Sequence, residues 1–109
     1  MATQQSVADF LVDQMAEAGV VTARKMFGEY GIYCDGKMPA ILSDDMLFVK
    51  PTPGVKALTE GFDEVPPYPG AKPSVLIPAD RWEDREWLCH LIKTATADLP
   101  LPKPKAPKR

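Results

Sequence analysis

Arg24-Lys25-Met26-Phe27-Gly28-Glu29-Tyr30-Gly31-Ile32-Tyr33-Cys34-Asp35-Gly36-Lys37 decides the fold. Asp-Gly between two strand-like runs is a strong hairpin signal, because a type I′ turn needs positive φ at both central residues. Tyr30 to Cys34 alternates large and small side chains. Lys37 to Leu42 returns, with Met38, Ala40 and Leu42 expected on one face. Ser43-Asp44-Asp45 makes a second turn, and Met46 to Lys50 a third strand. Pro39 cannot donate to a ladder. Its strand is therefore expected at an edge, or with that amide position facing away from a neighbour. Gly28 and Gly31 read as a bulge or tight bend, and no phosphate-loop or dinucleotide fingerprint surrounds them.

Upstream, Val7, Phe10, Leu11, Met15 and Ala18 recur at three- and four-residue spacing and predict a helix from Ser6 or Val7 to Ala18. Ser6 is its expected cap, and Gly19 suits a left-handed residue after its end. Downstream, Thr52-Pro53 reads as an N-cap followed by proline at the first helical position. Val55 and Leu58 give that short helix an inner face, and Gly61 ends it. Phe62 to Lys72 is dense in Pro and Gly, with a short edge strand expected at Phe62-Asp63-Glu64-Val65. Ser74 to Ile77 is a clearer strand, stopped by Pro78. Asp80 with Glu83 three residues on is an Asp version of the capping box. It opens a final helix with Trp87, Leu88, Leu91, Ile92 and Ala95 as its buried stripe, ended by Pro100. The order α-βββ-α-β(β)-α predicts an α+β domain, an antiparallel sheet with flanking helices.

A chain of 109 residues is one domain's length. No run of 18 apolar residues is present, so no membrane span is expected. The N-terminus lacks the basic start and apolar core of a signal peptide, which makes the cytoplasm the expected compartment. Cys34 and Cys89 are too few for a disulfide framework. Charge is unevenly spread. Residues 1–98 hold nine Lys and Arg against fifteen Asp and Glu, a net −6. Residues 99–109 hold Lys103, Lys105, Lys108 and Arg109 and no acid. Pro100, Pro102, Pro104 and Pro107 exclude a helix there, so 1–98 is the expected domain and 99–109 a disordered, solvated basic tail.

The Arg24–Lys37 stretch resembles the signature of the TfoX (Sxy) N-terminal domain family, R-x-M-F-G-x-x-G-L-Y-x-D-G-x. The resemblance runs over most of residues 5–98, including the aliphatic-Lys pair Val49-Lys50 and the late aromatic and Ala-rich helix. Pro39 stands where the family commonly has an aromatic, Asp45 where the second turn often has Gly, and Leu76 where an aromatic is frequent. The resemblance implies a secretion-chaperone-like α+β fold. It also implies a link to regulators of natural competence genes, which act with the cyclic-AMP receptor protein. Full-length members carry a C-terminal domain of helix-hairpin-helix character, which is not expected here.

The chemistry-bearing residues are sparse. Arg24-Lys25 could grip a phosphate or an acidic partner, though two adjacent cations also read as a solvated pair at a strand entrance, with Met26 and Phe27 in the core. Cys34, Cys89 and His90 have no recognised zinc spacing, and a Cys–His nucleophilic pair lacks an orienting group other than Glu86 or a distant acid. The plain expectation is a buried Cys89 and a half-exposed His90. Asp44-Asp45 and Glu83-Asp84 are adjacent carboxylates, which do not face one bond as acid–base pairs must. Trp82 lies at the margin of the last helix's apolar stripe and is the better candidate for a partner contact.

These readings predict a non-enzymatic regulatory or protein-interaction domain with no cofactor or metal, a protein partner and a second copy of the chain as a further partner. The alternative is a small nucleic-acid-associated protein binding through Lys103, Lys105, Lys108 and Arg109. Four cations predict a salt slope of about −3.6 on duplex DNA, opposed by the acidic body, so nucleic acid is expected to bind weakly if at all.

Overall fold

Two tight turns organise the sheet. In the computed structural model, which describes residues 4–26 and 29–100, Asp35 and Gly36 have φ of 52° and 85°. That is the pair of positive angles the Asp-Gly turn requires. Asp44 and Asp45, at 53° and 60°, repeat the geometry without a glycine. The turns join β2 (Glu29–Cys34), β3 (Lys37–Ser43) and β4 (Met46–Val49) into the expected meander. Phe27 and Gly28 lie outside the described residues, as do residues 101–109, so the expected core role of Phe27 and the character of the tail have no structural account.

The sheet is wider than the sequence reading predicts. A strand β1 (Val21–Met26) precedes the meander and pairs antiparallel with β2. After α2 (Pro53–Leu58), β5 (Glu64–Val65) and β6 (Ser74–Ile77) complete six antiparallel strands in the order β1-β2-β3-β4-β6-β5. Arg24 and Lys25 thus lie within an edge strand, not before one. Together with α1 (Gln5–Gln14) and α3 (Arg85–Asp98), the chain is an α+β domain.

Pro39 is not on an edge strand, since β3 lies between β2 and β4. Ile32 pairs with Ala40 but Cys34 with Lys37, so Met38 and Pro39 together oppose Tyr33. This is a β-bulge, where an extra residue has no ladder partner and a missing N–H costs nothing. The bulge also breaks the two-residue repeat. Ala40 and Leu42 are fully buried on the helix side of the sheet. Met38, expected beside them, is on the opposite face: a Cβ built on Gly31, the partner of Ile41, would lie 2.8 Å from Met38 Sδ.

The core fills the helix side. Tyr30, Ile32, Cys34, Ala40, Leu42, Leu47, Val49, Val75 and Ile77 from the sheet meet Leu11 and Met15 near α1 and Leu88, Leu91, Ile92 and Ala95 from α3. α1 is capped by Gln4 with no side-chain bond, not by Ser6, and ends at Gln14, with a 3-10 turn over Ala16–Ala18. Its buried line runs through Ala8, Leu11, Met15 and Ala18, while Phe10 is 42% exposed. At ~100° per residue, Phe10 lies about 200° round the helix from Ala8. Gly19 has φ 155° and ψ −156°, an extended conformation rather than a left-handed one, and one that few residues but glycine adopt.

Thr52 caps α2, its hydroxyl accepting from Val55 N, with Pro53 at the first position as expected. The cap of α3 is Asp84, which accepts from Trp87 N at 3.2 Å, not Asp80. Ala79–Arg81 instead forms a separate 3-10 turn. That turn sets the Arg81 guanidinium 4.7 Å from the Trp87 ring and 5.5 Å from that of Phe62. At the other end of α3, Lys37 Nζ donates to Thr96 O and Leu99 O at 2.9 and 2.8 Å. This cation satisfies carbonyls that the helix leaves unpaired and complements its dipole. The Leu99 carbonyl, just past the end of α3, is thus tied to the side chain of Lys37 in β3.

Candidate functional site

The helices leave the second face of the sheet to a single loop. Register places Arg24 and Met26 of β1, Gly31 and Tyr33 of β2, Ile41 and Ser43 of β3, Phe48 of β4 and Leu76 of β6 on this outer face. Phe48 is only 1% exposed yet stands apart from the main core cluster. The Pro-rich segment between β5 and β6 lies on the same face. Ser43 Oγ, buried, donates to Pro67 O at 2.7 Å and tacks that segment down.

A cleft of about 650 Å³ opens between this segment and the sheet. Its walls are Met38, Ile41, Pro51, Pro67, Tyr68, Ala71 and Pro73, with Lys50, Thr52, Glu64, Lys72 and Ser74 as the polar groups. A second hollow, of about 490 Å³, shares Met38, Ile41 and Tyr68 and runs on to Met26 and Glu29. The outer face thus offers methionines, an isoleucine and a tyrosine that is 51% exposed. Methionine adapts its shape to what it meets, and tyrosine pairs an apolar ring with a polar tip.

Lys50 is fixed at the cleft by its backbone. Its N–H donates to Pro39 O and its carbonyl accepts from Thr52 N, both at 2.9 Å. The bulge thus sets where the lysine begins. Burial among these walls pushes the Lys50 ammonium below its ordinary pKa.

The sequence-predicted site residues are not gathered. Arg24 and Lys25 are both exposed. Arg24 lies 5.6 Å from the Tyr33 ring on the outer face, whereas Lys25 pairs with Tyr30 and so belongs to the helix side. Trp82 is half-buried against the core, and its indole N–H donates to Ile77 O at 3.1 Å. Its bonding partner Ile77 is in β6, four strand spacings from β1, roughly 19 Å along the sheet. Lys103, Lys105, Lys108 and Arg109 lie outside the described residues. The cleft itself went unread. Its signals were Val49-Lys50-Pro51, a lysine at a strand end before proline, and the Pro-rich run that closes over it.

Cys34 is the buried cysteine, its Sγ 3.7 Å from Ala18 O. Cys89 is half-buried, contrary to expectation, and its thiol donates to Gln14 O at 3.0 Å. His90 is exposed. Among the described residues, no three His, Cys, Asp or Glu side chains are grouped to hold a metal, and no helix is long and apolar enough to cross a membrane.

An antiparallel sheet with helices on one face and a loop-walled cleft on the other defines a small α+β domain with an open apolar surface. Residues 13–99 match the family model of the TfoX N-terminal domain, and the chain belongs to that family. A relative from Spirochaeta aurantia, described as an uncharacterized 12.7 kDa protein in the trpE 5′ region, is 37% identical over 108 residues. The match spans 99% of this chain and 93% of that protein.

Proposed function

We propose that this chain is a non-enzymatic, cytoplasmic protein-interaction domain of regulatory character, which engages its partner through the outer face of the sheet. The observation that carries the reading is the grouping of large apolar side chains there. Tyr68, Met46 and Val65 are exposed at 51%, 39% and 36%, and Met26, Met38 and Ile41 lie half-buried nearby. Exposed apolar groups in one contiguous region mark contact surfaces more than singly scattered ones do. Membership in the TfoX N-terminal domain family supports a regulatory role. The acidic body favours a basic protein surface over nucleic acid.

The test is site-specific photo-crosslinking in cells. A photoreactive residue replacing Tyr68 should give a discrete protein adduct, and the same residue at exposed Glu83 should not. Equal, diffuse labelling from both positions would refute the reading. Light scattering then separates a second copy of the chain from a different protein.

A further inference from the structure

We infer that the cleft beneath Tyr68 binds a small amphipathic carboxylate, with the carboxylate on Lys50 Nζ and the apolar body along Met38, Ile41 and Tyr68. The inference concerns the isolated domain and stands apart from the protein-contact reading.

Three observations converge on it. The first is size and lining. A cleft of about 650 Å³ with mostly apolar walls is in the range that small ligands occupy. The adjoining hollow toward Met26 shares three wall residues, so an aliphatic or aryl body has room to extend. The second is the fixed position of Lys50. Pro39 O and Thr52 N hold its backbone from both sides, so its side chain starts from a set point on the cleft wall.

The third is charge. Among the described residues, no carboxylate forms an ion pair with the Lys50 ammonium. A cation set among apolar walls without a partner favours an incoming anion, because charge-assisted hydrogen bonds strengthen where water is scarce. Lys72 adds a second cation to the lining, and Glu64 is the opposing charge. Glu64 would repel a dianion more than a monoanion. The ligand class that fits is therefore a monocarboxylate with a medium-length apolar body.

Octanoate is the probe, with 1-octanol as its uncharged counterpart. The full chain is labelled at the methionine methyl groups with carbon-13 and titrated by NMR. Octanoate should shift the Met38 resonance saturably and leave that of Met15, which is fully buried in the core, unmoved. It should bind at least about tenfold more tightly than octanol, the gain from one good charge-assisted contact. Lys50→Met should bring octanoate down to the level of octanol, and Lys50→Arg should stay within about threefold of the parent. An unchanged Met15 resonance certifies that each variant is folded. Equal binding of octanol and octanoate, unsaturable shifts at all methionines, or full octanoate binding by Lys50→Met would each overturn the proposal.

Discussion

Asp35 and Val20 hold each other through two hydrogen bonds. Asp35 N donates to Val20 O at 3.0 Å, and Asp35 Oδ1 accepts from Val20 N at 2.9 Å. The residue that turns the first predicted hairpin therefore also anchors the start of the edge strand β1. Gly19 makes room for this, since a Cβ there would lie 2.7 Å from Asp35 Oδ2.

Asp35→Ala removes the acceptor and leaves an Ala at φ 52°. The loss should be about 1–2 kcal/mol, one modest hydrogen bond plus the left-handed penalty. Asp35→Asn keeps an acceptor oxygen and tolerates that backbone, and should stay within about 0.5 kcal/mol of the parent. Urea denaturation of the three proteins checks both. Equal losses for Ala and Asn would show that the carboxylate charge matters, not the acceptor.

Gly54 lets α2 approach α3 closely. Its N–H donates to Asp98 Oδ2 at 2.8 Å, and a Cβ would lie 2.5 Å from Thr94 Cγ2. Gly54→Ala should destabilise by about 1–2 kcal/mol through overpacking, although alanine favours helix. Adding Thr94→Ala should recover part of the loss, so the pair should be non-additive in a double-mutant cycle. A stabilised Gly54→Ala single variant would refute this packing.

Lys50→Met should raise the thermal midpoint at neutral pH. Burial lowers the Lys50 pKa from 10.5, so the folded state carries a desolvation cost whenever the lysine is charged. As pH rises from the folded value toward 10.5, the folded protein loses this proton first and gains stability. Above 10.5 the lysine is neutral in both states and the cost is gone. The advantage of Lys50→Met should therefore be greatest at neutral pH and shrink on alkalinisation. Melting both proteins across that range tests it, and a constant difference would count against a desolvation cost at Lys50.

Cys89 should alkylate before Cys34. Burial holds the Cys34 thiol above its usual pKa of 9.0, so the reactive thiolate is scarce as well as enclosed. Peptide mapping after brief iodoacetamide treatment of the native protein should find label on Cys89, with Cys34 labelled only as the domain unfolds. Equal native rates would show that the β2–α3 contact opens readily.

The parts legible in the sequence were those whose signals are local. Asp35-Gly36 and Thr52-Pro53 name their own geometry, and the apolar repeat of α3 reports its buried side directly. Strand β1 was missed because Arg24 and Lys25, both exposed on a sheet edge, obscure the alternation of Val21 and Ala23. Asp80 and Asp84 are both adequate caps, and only in the fold is it visible that Ala79–Arg81 makes its own 3-10 turn, with Arg81 over the rings of Trp87 and Phe62, before Asp84 starts α3. The cleft was illegible for a similar reason. It exists because a Pro-rich segment settles onto β3 through the Ser43 hydroxyl, a contact between residues 24 apart in sequence.

The extra residue at Met38-Pro39 also governs how the hairpin can change in length. Removing one residue there would restore an uninterrupted pleat with Lys37 two positions from Ala40, so its ammonium would stay on the helix side against the last turn of α3. The cost of losing the extra residue would fall instead on the other side of β3, where Pro39 O accepts from Lys50 N and sets the lysine at the cleft.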